Sequence, residues 1–289
     1  MTAGPATAVQ VSRNTKWKPP MLPELFRIGP IPVRSYGVMM ALAFLFGVWY
    51  VKRMTARDGK PFDPYLNVAY IMIFGGVIGA RLAYVFMHWS DFAHNLLSAF
   101  NPFHEGQFGI AGLNLYGGVL LALIGSFLYI RYKKMSVLEV FDYFAPALAL
   151  GIGIGRIGCF LNGCCFGTPC DLPWAISFPK GSIPYSVFGS AHIHPSQLYT
   201  SLYGFGLFIA LHFLLKHRRF IGQLTAVMLM AEAVFRFAIE FVRYYENAMM
   251  FSFLGHEATY NQVIAALLFL LGLILYIVNR SRQPHRASV

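Results

Sequence analysis

The sequence predicts an all-α integral membrane protein with seven transmembrane helices, and its composition is the first observation that supports this. Of the 289 residues, 57% are hydrophobic and only 12% are charged. Soluble domains have roughly 45–50% apolar and about 25% charged residues, so this chain has too little charge to cover a soluble surface. The composition therefore excludes a soluble enzyme, a disordered chain and a fibrous protein.

Seven apolar stretches provide the second observation. A hydrocarbon core of about 30 Å requires roughly 20 apolar residues in helical conformation. The predicted spans are residues 36–51, 66–89, 113–130, 137–163, 198–215, 223–245 and 260–278. We expect one integral membrane domain over residues 1–289, with an exposed tail at 1–33, a helical body at 36–278 and a cytoplasmic tail at 279–289.

The placement of the lysines and arginines is the third observation. Cytoplasmic loops of membrane proteins are enriched in these residues, and four loops on one side of the predicted helices agree. The N-terminus is therefore expected outside and the C-terminus in the cytoplasm, although the cations of residues 13–18 oppose this orientation. The net charge of +11 is then explained by the orientation of the chain in the membrane and does not indicate nucleic-acid binding. Thirteen cations follow odd-numbered spans: Lys52, Arg53, Arg57, Lys60, Arg131, Lys133, Lys134, Lys216, Arg218, Arg219, Arg280, Arg282 and Arg286.

Two long connections, residues 90–112 and 168–197, fall on the outer side in this topology. Both are rich in glycine, proline, asparagine and aromatic residues. Loops longer than about 12–15 residues are often functional. We expect these two loops to form a small head over a site on the outer face.

Arginines inside the spans indicate where that site lies. Buried charges are costly in a membrane and are candidate functional groups. A guanidinium can hold a phosphate through two parallel hydrogen bonds, and the phosphate nearest the outer leaflet is a phospholipid headgroup. The spacing of Glu232, Arg236, Glu240 and Arg243 predicts one shared helix face, either as a self-neutralising ladder or as part of an anion site. Four arginines lie in the outer halves of even-numbered spans: Arg81, Arg156, Arg236 and Arg243.

Glycines are the other group that recurs inside the spans. Small residues spaced along a membrane helix usually allow close helix packing. The segment from Gly151 to Gly155 is not a nucleotide-binding loop, because no predicted strand precedes it. We expect packing roles for most of this set: Gly75, Gly76, Gly79, Gly117, Gly118, Gly151, Gly153 and Gly155.

Six ordered motifs resemble those of bacterial prolipoprotein diacylglyceryl transferases. The segment from Gly155 to Gly167 is similar to the family signature, which reads Gly-Arg-x-Gly-Asn-Phe-x-Asn and ends in Gly. Six elements in the same order are more specific than any one of them. The other five are Arg34-Ser-Tyr-Gly37, the Gly/Arg-rich segment 75–84, Leu115-Tyr-Gly-Gly118, His194-Pro-Ser-Gln-Leu-Tyr199 and the segment Phe235–Arg243.

The resemblance implies an enzyme of the bacterial cytoplasmic membrane that needs neither cofactor nor metal. It would transfer the diacylglyceryl group of phosphatidylglycerol to the lipobox cysteine of an exported prolipoprotein and release glycerol phosphate. The implied catalytic residues are Arg156, Arg236, Glu240, His194 and Tyr116. The implied phosphatidylglycerol-binding residues are Arg156, Asn162, Arg81, Tyr199, Arg243, Gly117 and Gly118.

Two of these assignments have alternatives. His194 is a candidate base for the attacking thiol, but it could equally tie the outer loop to the fifth span. Tyr116 stands where many members of the family have a histidine. A neutral tyrosine is a poor base at pH 7 but can donate a hydrogen bond to phosphate.

The chain departs from the signature at its four cysteines, Cys159, Cys164, Cys165 and Cys170. A disulfide such as Cys165–Cys170 and a set of packed free thiols are both compatible with the sequence. A metal site fits the spacing poorly, because no Cys-x2-Cys pair is present. The cysteines also motivate two alternative functions: a family member that binds lipid or lipoprotein without transfer chemistry, and a membrane thiol–disulfide enzyme. A receptor or ion pump would match the span count alone.

Overall fold

Long helices make up most of the protein. The computed structural model describes residues 21–29, 31–92, 103–104, 107–108, 114–245, 250–253 and 256–282. The short helices in these ranges are α3 (Trp89–Phe92) and α6 (Ile183–Phe188). The long helices are α1 (Ser35–Arg57), α2 (Asp63–Met87), α4 (Leu115–Tyr132), α5 (Val137–Asn162), α7 (Ser196–Lys216), α8 (Gln223–Ile239) and α9 (Tyr260–Arg282).

Six of these helices are long and apolar enough to cross a membrane, which supports a multi-pass membrane protein. The exception is α8, whose 17 residues extend about 26 Å at 1.5 Å per residue. The sixth predicted span, residues 223–245, is therefore too long at its carboxyl end. The helix stops at Ile239 and continues as a 3-10 turn over Glu240–Val242, after which Arg243 is extended. Arg243 thus does not share the helix face of Glu232, Arg236 and Glu240.

The bundle is helical, as predicted, and short hairpins that the sequence did not predict lie in its connecting segments. The described residues contain three antiparallel two-stranded pairs: β1 (Glu24–Ile28) with β2 (Ile31–Arg34), β3 (Phe103–His104) with β4 (Gln107–Phe108), and β5 (Met250–Phe253) with β6 (His256–Thr259). The β1–β2 hairpin leads directly into α1. The Leu22 amide just before it donates a hydrogen bond of 3.2 Å to the Leu161 carbonyl, so the end of the predicted tail is attached to α5.

Helix α5 is the centre of the bundle and packs against α1, α7 and α8, while α2 pairs with α4 and α8 with α9. The glycine motifs bring α2 and α4 together. A Cβ atom on Gly117 would lie 2.6 Å from the Gly79 carbonyl oxygen, and one on Gly118 would lie 2.6 Å from that of Gly76. These contacts confirm the packing interpretation for Gly79, Gly117 and Gly118, whereas a Cβ atom on Gly151 would have no neighbouring atom within 4 Å.

Polar contacts fix the helices at the end of the bundle where α8 begins. The buried carboxylate of Asp142 accepts hydrogen bonds from the backbone amides of Gly222 at 2.7 Å and Thr225 at 2.8 Å. A carboxylate satisfies the free amides of a helix N-terminus and is favoured there by the helix dipole. The neighbouring Tyr143 hydroxyl donates to Asp58 at 2.6 Å. The start of α8 is thereby attached to α5.

The connection between α5 and α7 folds over the opposite end of α5. A small apolar cluster separate from the main core forms there, with Phe160 of α5 packed against Phe166, Ile176, Phe178 and Ile193. This is the predicted loop at 168–197, and the structure gives it a core of its own. Most of the other predicted loop, residues 90–112, lies outside the described residues.

Candidate functional site

The polar residues singled out in the sequence gather mainly at one end of the bundle. Helices α5 and α8 end there, and α4, α7 and α9 begin there. The site is therefore assembled from helix termini, where backbone groups are free to bond to side chains. This common location agrees with the shared depth that the topology predicts for Arg156 and Arg236.

A continuous hydrogen-bond network joins α8, α9 and α4 at this end. The Arg236 guanidinium donates to the Tyr245 hydroxyl at 2.9 Å, and that hydroxyl donates to a Glu240 carboxylate oxygen at 2.9 Å. The Asn261 amide donates to the other Glu240 oxygen at 2.9 Å. The Tyr116 hydroxyl donates to the side-chain oxygen Oδ1 of Asn261 at 3.2 Å. Arg236, Glu240 and Tyr116, which the sequence assigned to catalysis, are thus connected.

Glu240 is the centre of this network. Its side chain is only 1% exposed, and it lies 3.7 Å from the Arg236 guanidinium. The Thr259 hydroxyl adds a further hydrogen bond of 3.1 Å. A buried carboxylate is stable only when it is paired and hydrogen-bonded, and these contacts satisfy that requirement. Glu240 can therefore hold Arg236 in a fixed orientation.

Glu232 connects the two central arginines. It is close enough for the charges of both Arg156 and Arg236 to act on it, and the Tyr203 side chain lies beside it. The side chain of Arg156 is half-buried near the end of α5. One anionic group between two cationic groups lowers the cost of burying both. Glu232 therefore fits both interpretations of the sequence. It neutralises charge within the ladder, and it neighbours the two arginines assigned to the anion site.

Arg243 reaches the site through the chain that follows α8. Its backbone pairs with Gly167, and the Thr168 amide donates to the Val242 carbonyl at 2.9 Å. Its guanidinium lies 4.9 Å from the centre of the Tyr245 ring, within the range of a cation–π contact. Arg243 is therefore adjacent to the residue that links Arg236 to Glu240.

His194 belongs to a separate group of hydrogen bonds. Its Nδ1 atom lies 3.3 Å from the Tyr199 hydroxyl, which accepts a hydrogen bond of 2.8 Å from Trp174. Burial lowers the pKa of His194 and so favours the neutral form of its imidazole. Its backbone bonds to Gly167 and Thr168, which fixes the loop beside α7. This backbone role matches the expectation that the residue ties the loop to the span.

The four cysteines are all free thiols in the structure. The Cys165–Cys170 disulfide suggested by the sequence is therefore not formed, and Cys165 lies instead beside Cys159 and Cys164. Hydrogen bonds from these two thiols lower the pKa of Cys165, and the charges of Arg243 and Arg156 lower it further. The Cys164 thiol donates to the Cys159 carbonyl at 3.7 Å, and the side chain of Asn162, assigned to lipid binding, lies beside it.

The remaining assignments are placed elsewhere. Gly117 and Gly118 form the contact between α4 and α2, so helix packing accounts for both. Arg81 is buried on α2 with its guanidinium over the rings of Tyr84 and Phe92, at 5.6 and 5.3 Å. Its part in lipid binding stays a prediction.

Comparison with known proteins agrees with this arrangement. Residues 23–278 match the family model described as prolipoprotein diacylglyceryl transferase. Phosphatidylglycerol–prolipoprotein diacylglyceryl transferases from Vibrio cholerae, Nitratidesulfovibrio vulgaris and Bordetella avium are 31%, 34% and 33% identical to this chain. The alignments cover 91–92% of this chain and 94–97% of the relatives. The chain belongs to the prolipoprotein diacylglyceryl transferase family.

Family membership confirms the resemblance drawn from the six motifs and favours a transferase over the lipid-binding and thiol–disulfide alternatives. Sequence reasoning missed Tyr245, Thr259 and Asn261, which complete the Glu240 network. The only signal for them was that polar residues stand at the start of an apolar span, at Asn261 and Gln262. Their role depends on contacts that join two helix ends far apart in the chain.

Proposed function

We propose that this member of the transferase family moves the diacylglyceryl group of phosphatidylglycerol to the thiol of a lipobox cysteine in a prolipoprotein. The observation that supports this most strongly is the pair of half-buried arginines, Arg156 and Arg236, at one end of an apolar bundle. The reaction has an anionic leaving group, and a low-dielectric site with fixed cations stabilises such a group well.

The reaction follows from the position of the phosphate ester. The cysteine sulfur attacks the glycerol carbon that bears the phosphate, a carbon–sulfur bond forms, and the carbon–oxygen bond to phosphate breaks. Glycerol phosphate leaves with one more negative charge than the phosphodiester had, unless it takes up the thiol proton. Arg156 and Arg236 would hold that phosphate. Tyr116 would act on the site indirectly, because its hydroxyl donates to the Asn261 side chain, which in turn donates to Glu240.

Glu240 acts as a positioning residue in this proposal. Hydrogen bonds from Tyr245, Thr259 and Asn261 hold it in a fixed position beside Arg236. Its effect on the reaction would pass through Arg236, whose donor atoms it orients. His194 stays a candidate for the group that receives the thiol proton.

An apolar groove beside α8 suits the acyl chains of the lipid. It has a volume of about 550 Å³ and is lined by residues of α7, α8 and α9, including Tyr203, Val234 and Phe269. Phe235, the sequence neighbour of Arg236, also lines it. A headgroup at Arg236 would therefore have an apolar surface next to it for its hydrocarbon chains.

The orientation is part of the same proposal. Seven spans, with α8 continued by its 3-10 turn, place the N-terminus outside and the site at the outer leaflet of the bacterial cytoplasmic membrane. The supporting observation is the excess of cations at the other end of the bundle, where Lys52, Arg131 and Lys216 lie. An exported prolipoprotein would reach the site from that outer side.

The test uses purified protein in vesicles of phosphatidylglycerol with a synthetic lipobox peptide. Mass spectrometry is expected to show the peptide with a diacylglyceryl thioether. The same peptide with serine in place of cysteine is the matched control and should stay unmodified. Absence of the adduct from folded protein, with an active relative run in parallel, would contradict the proposal.

A further inference from the structure

The end of α5 and the residues after it bring three cysteine thiols together. The Sγ atoms of Cys159, Cys164 and Cys165 all lie within 4.8 Å of one another. Three sulfur ligands with metal–sulfur bonds of about 2.3 Å would lie about 3.8 to 4.0 Å apart around one ion. The three thiols therefore need only small rotamer adjustments to share a single metal ion.

Two residues in the left-handed backbone conformation bring these thiols together. Gly163 ends α5 in the left-handed conformation with φ of 72°, and Cys165 has φ of 61°, which is unfavourable for a residue with a Cβ atom. The first turn of α7 holds the conformation, because Ser196 donates to the Cys165 carbonyl at 2.8 Å and Gln197 to the Cys164 carbonyl at 2.9 Å. Unfavourable backbone conformations that neighbours enforce are typical of functional sites.

The surrounding charges suit an anionic metal–thiolate complex. Three thiolates around a divalent ion have a net charge of −1, and around a monovalent ion a net charge of −2. Arg156 and Arg243 both lie close enough for their charges to act on Cys165. Cys159 is buried and the other two thiols are half-buried, which leaves a route for an ion from solvent.

We propose that Cys159, Cys164 and Cys165 form a three-thiolate site for one soft d10 metal ion of the class of Zn²⁺ and Cu⁺. Soft thiolate ligands select these ions. One metal ion would use all three thiols, whereas a disulfide within the cluster would leave the third thiol unpaired. The occupancy of this site is measurable without any assay of activity.

The experiment uses the full chain, purified in detergent, reduced and freed of metal with a chelator. Co²⁺ is expected to give a thiolate charge-transfer absorption that saturates at one equivalent, and one equivalent of Zn²⁺ should abolish it. A parallel titration with Cu⁺ uses a coloured Cu⁺ chelator as competitor. Retention of one equivalent of either ion supports the site, and retention of neither overturns it.

Variants and alkylation locate the bound ion. The triple variant Cys159→Ser/Cys164→Ser/Cys165→Ser should lose binding, while Cys170→Ser should keep it. Because the triple variant could fold poorly, alkylation of the wild-type chain provides a second measurement. The bound ion should protect the three cluster thiols from iodoacetamide and leave Cys170 reactive. Equal alkylation of all four thiols, or a disulfide within the cluster in protein isolated without reductant, would overturn the proposal.

Discussion

Replacing Glu240 with glutamine tests whether the buried carboxylate positions Arg236. Glu240→Gln removes the negative charge and one hydrogen-bond acceptor but keeps the shape of the side chain. The wild-type carboxylate accepts hydrogen bonds from Tyr245, Thr259 and Asn261, and its nearest oxygen is 3.7 Å from Arg236. At least one of these donors must lose its partner in the variant.

The expected size of the effect follows from the loss of one hydrogen bond to the carboxylate. A hydrogen bond to a charged group contributes about 1.5–3 kcal/mol. If the misplaced Arg236 stabilises the transition state by that much less, the rate falls by about tenfold to about 150-fold, since each 1.36 kcal/mol is a factor of ten. The loss should appear in kcat, because the phosphate gains charge only as the reaction proceeds.

The assay is the initial rate of peptide modification in phosphatidylglycerol vesicles, together with the unfolding temperature of each variant. Glu139→Gln is the matched control, because that carboxylate pairs with Lys60 at the other end of the bundle and is 20% exposed. It should change the rate by less than about twofold, as expected for a partly exposed ion pair. A fully active Glu240→Gln protein with unchanged unfolding temperature would refute the positioning role.

Three further substitutions test other parts of the account. Tyr116→Phe removes only the hydroxyl that donates to Asn261, and such a hydrogen bond contributes about 0.5–1.5 kcal/mol. The transfer rate should therefore fall a few-fold, and an unchanged rate would place Tyr116 outside the site. Gly118→Ala should destabilise the protein by about 1–3 kcal/mol in thermal unfolding because its Cβ would lie 2.6 Å from a carbonyl of α2, whereas Gly151→Ala has open space and should not. Asp142→Ala removes the cap of α8 and should cost about 2–3 kcal/mol of stability, read as a lower unfolding temperature; equal stability would mean that the cap is dispensable.

Hydropathy and charge were sufficient to predict most of the long helices and the location of Arg156 and Arg236 at one end of the bundle. The energetic cost of burying apolar surface or charge in lipid is large, so it leaves a clear pattern in the sequence. The glycines that join α2 and α4 were also predictable, because close helix contact requires small residues at regular spacing. The part of Gly117 and Gly118 in lipid binding stays a prediction, since a shared motif does not separate packing from recognition.

The end of α8 was not predictable in the same way. Residues 240–245 are apolar enough to continue a helix, but Glu240 is held by partners from α9 and from Tyr245, and the chain turns there. Such partners are distant in sequence and invisible to a window of hydropathy. The thiol cluster has the same origin, because left-handed residues after α5 bring Cys165 back toward Cys159.

The central claim is that Arg156 and Arg236 hold the phosphate that leaves, and the direct measurement is the release of glycerol phosphate from lipid labelled in its headgroup glycerol. We expect the wild-type protein to release one glycerol phosphate for each peptide modified. Arg156→Ala and Arg236→Ala should each slow the release by about a hundredfold or more, as expected when a charged donor to a developing anion is lost. The exposed Arg219→Ala at the other end of the bundle should release it at the wild-type rate. Full release by folded Arg156→Ala and Arg236→Ala proteins would contradict the account.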